Sequence, residues 1–184
     1  MVKSAMRMAP DWESELGEFR KGKDGFFQAS EESPIPRDQR HLFNGLKYFP
    51  PNSKFQFETK LRRHEKPEMV TMSTSKETSQ RFHRIGFFEL QIEGRLLKIQ
   101  AYKSAEREDT DVFIPFRDAT SSKESYGSAR YLDLEERSDD NYVVDFNYAY
   151  NPYCAYSDDY ICPLPPKENW LDVAIRAGEM KYDD

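Results

Sequence analysis

The stretch RIGFFELQIEGRLLKIQAYKS, residues 84–104, constrains the fold more than any other part of the chain. Phe88, Leu90 and Ile92 fall on one side of an extended backbone, and Glu93-Gly94 suits a tight turn. Leu97, Ile99 and Ala101 then make the returning face, or Leu96 and Tyr102 the opposite one. Apolar residues at period two on both sides of a turn predict a β-hairpin.

The same period recurs elsewhere. KFQFETKL alternates Phe55, Phe57, Thr59 and Leu61 against polar residues, the pattern of a half-buried strand. EMVTMST predicts a second strand, with the charged segment from Arg62 to Pro67 as the connection. VFIPFRD, ARYLDLEE and NYVVDF predict three more, and WLDVAIRAGE suits a short helix or a strand. Strands at this spacing without helices between them indicate an antiparallel sheet. The expected fold class is mainly β: a strongly curved sheet, a barrel or a sandwich. An N-terminal helix covers one side or end. It starts at Asp11 as N-cap, carries Trp12, Leu16 and Phe19 on one stripe, and ends or is interrupted near Gly22 and Gly25. RDQRHLF adds one or two helical turns after Pro36, with Gly45 near their end. No repeat or linker divides the chain, so residues 1–184 are expected to form a single domain, with 1–10 flexible.

Apolar residues make up only 38% of the 184, but 13 Phe, 11 Tyr and 2 Trp supply large buried areas, so a core can still close. Acidic residues outnumber basic ones, 33 to 27, for a net charge of -6. Nucleic acid binding needs a concentrated basic face, and the run KLRRHEK, residues 60–66, suits a solvated strand end instead. No apolar run approaches the roughly 20 residues of a membrane-spanning helix, so no membrane partner is expected. The N-terminus lacks an apolar signal core, and a cytoplasmic location is the expectation.

DFNYAYNPYCAYSDDYICPLPPKENW, from Asp145 to Trp170, can be neither a regular helix nor a long strand. Ordering a backbone costs about 1–2 kcal/mol per residue. Four prolines reduce the freedom lost on folding, and tyrosine rings bury area while their hydroxyls find partners. Asp145, Asn147 and Asn151 can satisfy backbone groups beyond a strand's reach. The segment is therefore expected to form a long, ordered C-terminal strap, one wall of a pocket with Arg117, Asp118, Tyr126 and Arg130 opposite.

Cys154 and Cys162 enclose seven residues. A disulfide there would contribute about 2–3 kcal/mol by chain entropy, while a reducing cytosol would leave two packed thiols, and both readings stand. His41, His64 and His83 lie far from the cysteines, so no metal site is expected. SDD at Ser157–Asp159 and REDTD at Arg107–Asp111 lack calcium-loop spacing. No nucleophile elbow, phosphate loop or dinucleotide glycine pattern occurs, and Ser121, Ser122 and Ser125 fall in a turn-like segment. No motif sets a cofactor, a reaction or an oligomeric state. What remains is polar residues at strand ends: Arg117, Asp118, Thr120, Tyr126, Arg130, Asp145, Asn147 and Asn151. An arginine fork can hold a carboxylate or phosphate, an aspartate can orient it or take a proton, and asparagines can fix polar atoms. The same groups can equally pair with each other and hold loops in place.

At these residues the chain resembles domain-of-unknown-function family 1684 of bacteria and archaea. FRDATSSKESYGSARYLDLE, DFNYAYNPYCAY and CPLPPKENWLDVAIRAGE look like its signature segments. The matching positions include Phe116, Asp118, Thr120, Arg130, Asp145, Asn147, Asn151, Cys154, Cys162 and Asn169. Ser122 and Ala129 stand where the family often has glycine, and Tyr153 where proline is usual. The resemblance implies a β-rich single domain and brings no established activity, cofactor or partner.

The leading expectation is a domain that binds a small polar or anionic molecule between strand ends and the 145–170 segment. The second is an enzyme of hydrolase or lyase type, with Asp118 or Asp145 as catalytic base and Arg130 on the substrate. The third is a protein–protein interaction module presenting tyrosines.

Overall fold

A computed structural model of the chain describes residues 11–107 and 111–182. The stretch 1–10, expected to be flexible, lies outside the described residues, as do 108–110 within REDTD. The chain divides into two compact units between Leu46 and Lys47.

In the first unit, α1 runs from Trp12 to Ala29. It continues through Gly22 and Gly25, where the sequence predicts an end. A mid-helix glycine costs only about 1 kcal/mol, and contacts beyond the glycines outweigh it. Phe27 is buried and its ring meets Phe43. The Asp24 carboxylate accepts the Leu46 amide at 2.9 Å. The buried helix residues are Trp12, Leu16 and Phe27, while Phe19, expected on the stripe, is exposed. Asp11 precedes the helix but makes no side-chain cap bond. The predicted turns after Pro36 shrink to one 3-10 turn, Arg40–Leu42.

The second unit holds the strands: β1 (Gln56–Lys60), β2 (Arg62–Ser73), β3 (Ser79–Ile92), β4 (Arg95–Ser104), β5 (Val112–Phe116), β6 (Arg130–Leu134) and β7 (Asn141–Asp145). β1 and β7 form an antiparallel two-stranded sheet. The other five make an antiparallel sheet in the order β2-β3-β4-β5-β6. The predicted hairpin is β3–β4, closed by Glu93 and Gly94, both with positive φ. Of its two candidate return faces, Ile99 and Ala101 are buried and Leu96 is exposed. Tyr102 is also buried, in a separate cluster with Met72 and Phe82. The charged stretch 62–67 is not a connection but the start of β2, and the register slips between Arg63 and Glu68. Charge and Pro67 are tolerated because β2 is an edge strand. Gly86 faces it, where a Cβ would come within 2.4 Å of the Arg62 carbonyl.

The sheets stay open, so the barrel expectation is corrected to a two-layer, sandwich-like arrangement. Phe88, Ile99, Ile114 and Leu132 of the larger sheet share a core with Tyr142 and Val144 of the smaller. Closure would require β2 to pair with β6, but the strap occupies both edges. At β6, Tyr131 and Tyr150 exchange backbone bonds of 2.8 and 3.0 Å. At β2, the Leu164 amide donates to the Ser73 carbonyl at 2.7 Å. The strap is thus ordered without regular structure, apart from short 3-10 turns at Phe146–Tyr148, Tyr153–Ala155 and Lys167–Asn169.

WLDVAIRAGE is neither the helix nor the strand offered by its pattern. It is extended, with Leu171, Val173, Ile175 and Ala177 buried in alternation and Asp172 and Arg176 exposed. Its backbone bonds go to loop groups, such as the Ala119 amide to the Val173 carbonyl at 2.9 Å.

Asn169 shows how the strap substitutes for strand pairing. β4 and β5 share one register pair, Tyr102 with Phe113. Beyond it the buried Asn169 amide accepts from the Gln100 amide at 2.7 Å and donates to the carbonyls of Gln100 (2.9 Å) and Pro115 (2.8 Å). Asn169→Asp removes both donors and sets a carboxylate against two carbonyls. It is expected to lower unfolding free energy by at least ~2–3 kcal/mol, read as a shifted urea midpoint.

Candidate functional site

The predicted site residues fall in four places. The first is a buried clasp behind β5 and β6. Arg130 opens β6, and the 118–125 loop follows β5. Arg130 Nη2 donates to Asp118 Oδ1 at 3.2 Å and to the Ile175 carbonyl at 2.8 Å. Nη1 donates to the carbonyls of Ala177 and Glu179. The guanidinium carbon lies 5.2 Å from the Phe116 ring and 5.7 Å from that of Phe49. Burial pushes the Arg130 pKa below its ordinary value, and Asp118 opposes the shift. Asp118 Oδ2 accepts the Ile175 amide at 2.7 Å, and the Thr120 hydroxyl lies 2.9 Å from both carboxylate oxygens. The fork that could grip a ligand carboxylate instead grips the protein's own 175–179 segment.

The second place is the start of the strap. Asp145 Oδ1 accepts from the Asn147 amide at 2.9 Å and its side chain at 2.7 Å, while Oδ2 accepts from Gln56. Asn147 then holds Asn52 by both backbone groups, at 2.8 and 2.9 Å. Nearby in sequence, the Asn151 side chain donates to the Met180 carbonyl, and its backbone amide donates to buried Glu179 at 2.7 Å. Glu179 also accepts from Tyr156. Sequence reasoning missed Glu179, because a glutamate after Gly178 in a tail carries no signal of burial.

The third place joins Tyr126 to the cysteines. The Tyr126 hydroxyl lies 3.8 Å from Cys154 Sγ, and the Cys154 amide donates to Cys162 Sγ at 3.4 Å. Both cysteines are free thiols.

The fourth is Arg117, which leaves β5 beside Trp170. Their backbones are joined: the Arg117 amide donates to the Asn169 carbonyl at 3.0 Å, and the Leu171 amide returns a bond to the Arg117 carbonyl at 2.8 Å. The guanidinium carbon stacks 4.6 Å from the indole. The indole N–H is held by the Pro165 carbonyl at 2.9 Å, which fixes the ring. Trp170 is 48% exposed. Among the described residues the Arg117 guanidinium has no hydrogen-bond or ion-pair partner, in contrast to Arg130. The sequence singled out Arg117 but not the tryptophan that supports it.

A groove of about 560 Å³ lies elsewhere, along residues 133–139 with Tyr142 and Val143, and carries acidic side chains from Asp133 to Asp139. The described residues hold no group of three or more His, Cys, Asp or Glu arranged for a metal. None of their helices is long and apolar enough to cross a membrane.

A family model described as "Protein of unknown function (DUF1684)" matches residues 41–180. The chain belongs to this family. The DUF1684 match spans β1 to β7, the strap, Arg117, Arg130 and both cysteines. The chain is also similar to the uncharacterized protein from gene locus rrnAC0354 of Haloarcula marismortui, known from a solution NMR structure. Identity is 41%, coverage is 92% of this chain and 94% of that one, and the TM-score is 0.71. No curated protein matches. The DUF1684 assignment therefore agrees with the resemblance seen in FRDAT, DFNYAYNPYC and CPLPPKEN, and brings no reaction with it.

Proposed function

We propose that this DUF1684 domain binds a small anionic molecule, a carboxylate or a phosphate, on the face formed by Arg117 and Trp170. One observation carries the reading: a half-buried guanidinium, stacked on a fixed indole, keeps its donors unspent. Stacking orients the fork and lowers the entropy lost when it closes on an anion. The exposed indole offers an apolar wall to the rest of the molecule. The site lies where strand β5 ends and the strap ends, and of the four residues expected opposite the strap it uses Arg117 alone. Asp118, Arg130, Asp145 and Asn147 serve this reading as scaffold: the Asp118 and Asp145 carboxylates, the Arg130 terminal nitrogens and the Asn147 side chain bond the protein itself.

Calorimetric titration with inorganic phosphate and with succinate at low salt tests it. A charge-assisted bond is worth ~1.5–3 kcal/mol, so Arg117→Ala is expected to weaken binding by about tenfold or more without moving the unfolding midpoint. Trp170 emission should respond in the parent protein and not in Arg117→Ala. Equal binding by the two proteins, or none by the parent, overturns the reading.

A further inference from the structure

The thiol pair lies apart from the Arg117 face. Cys154 is the middle residue of the 3-10 turn Tyr153–Ala155 and is half-buried; Cys162 is buried against Ala129 and Tyr131. The two cysteines are joined where the Cys154 amide donates to Cys162 Sγ at 3.4 Å. Cys162 is fixed from both sides by Ser75: its amide donates to the Ser75 hydroxyl at 3.1 Å, and its carbonyl accepts the Ser75 amide at 2.9 Å. Tyr126 approaches Cys154 Sγ with its hydroxyl, and Tyr131, Tyr150 and Tyr160 complete the surroundings. Cys154 is thus the more accessible residue, with the Tyr126 hydroxyl beside its sulfur, and Cys162 is buried with its sulfur against the Cys154 amide.

We propose that Cys154 and Cys162 act as a dithiol that exchanges with low-molecular-weight disulfides, Cys154 attacking and Cys162 resolving. The Cys154 thiolate attacks one sulfur of the incoming disulfide. A protein–ligand S–S bond forms, the ligand S–S bond breaks, and one thiolate leaves. Cys162 then loses its proton to that leaving thiolate or to water and attacks Cys154 Sγ. A Cys154–Cys162 bond forms and the second ligand thiolate leaves. Two protein thiols are oxidised by two electrons and one small disulfide is reduced to two thiols.

The electrostatics agree with these roles. Hydrogen bonds from Cys162, Tyr126 and Ser75 draw the Cys154 thiol down to about 6, against the opposing effect of burial. The bond to Cys154, together with burial, pushes Cys162 up. Burial raises Tyr126 to about 12, so its hydroxyl stays a donor to the thiolate at neutral pH. Such an asymmetry marks an attacking thiol and its resolving partner.

The test uses the reduced full chain and oxidised glutathione, followed by intact mass. The parent protein should lose two hydrogens and release two glutathione thiols. Cys162→Ser should accumulate one glutathione on Cys154, and Cys154→Ser should react slower by about tenfold or more. Alkylation of the unmutated chain with iodoacetamide gives a second reading that needs no variant. Near pH 7, Cys154 should be labelled about tenfold faster than Cys162, and Tyr126→Phe should shift the Cys154 pH profile upward. Two free thiols persisting in excess oxidised glutathione, or Cys162 labelled as fast as Cys154, overturns the proposal.

Discussion

Arg130→Ala is expected to cost ~3–5 kcal/mol of unfolding free energy, the range for breaking a buried pair while one charge stays behind. The guanidinium is 1% exposed and holds four groups: Asp118 and the carbonyls of Ile175, Ala177 and Glu179. Truncation leaves Asp118 charged in the interior with only neutral donors. Three carbonyls lose their partner and a void opens beside Phe116 and Phe49. Asp118→Asn should destabilise comparably, because the buried guanidinium then lacks its counter-charge. The double variant should cost less than the sum, since both residues serve one clasp. Urea denaturation followed by circular dichroism measures all three. Changes below ~1 kcal/mol would mean that the clasp contributes little, and the fork would again be available for a ligand.

Gly178→Ala is the second large effect. Gly178 has φ 77, and a Cβ there would lie 2.5 Å from the Ala149 carbonyl oxygen and 2.7 Å from that of Phe146. Both contacts are backbone, so neither can swing away. The left-handed backbone adds ~1–2 kcal/mol to an overpacking cost of ~1–3 kcal/mol. The Glu179 amide, next in the chain, bonds the Ala149 carbonyl at 2.9 Å. Displacing it should loosen the buried Glu179 contacts to Asn151 and Tyr156 as well. A fall in melting temperature together with faster exchange of the Glu179 amide is the expected outcome.

Much of the fold was legible because strand faces announce themselves. The β3–β4 hairpin follows from alternation around Glu93-Gly94, and the two positive φ values there are what such a turn requires. Closure was not legible. Alternation says which face is buried but not which edges meet, so barrel and sandwich read alike until Tyr150 and Leu164 are seen on the β6 and β2 edges. The charged start of β2 misled for a related reason: an edge strand need not look like a strand. In α1, Phe27 and Asp24 carried the helix past two glycines, a tertiary effect invisible to local propensity. WLDVAIRAGE shows the reverse case, a strand-like pattern whose partners are loop groups and an aspartate rather than a neighbouring strand.

The candidate site was half legible. Arg117, Arg130, Asp118 and Tyr126 stand out in the sequence, but the same letters encode a clasp and a binding fork. Burial and partner count separate them: Arg130 is enclosed and both its terminal nitrogens are engaged, whereas Arg117 is stacked and unspent. Trp170 went unread because an aromatic residue closing a proline-rich segment gives no hint of being a platform. The two cysteines were visible, but only the structure distinguishes the half-buried Cys154 from the buried Cys162.

Native-state hydrogen exchange tests the central claim most directly, because a strap held by Asn147 and Asn169, and the 171–179 segment after it held by Arg130 and Asp118, must open only when the sheet does. The amides of Leu171, Ile175 and Glu179 are expected to exchange with the same opening free energy as those of Phe88 and Ile99. Exchange of these amides through local opening, several kcal/mol below the sheet, would contradict it.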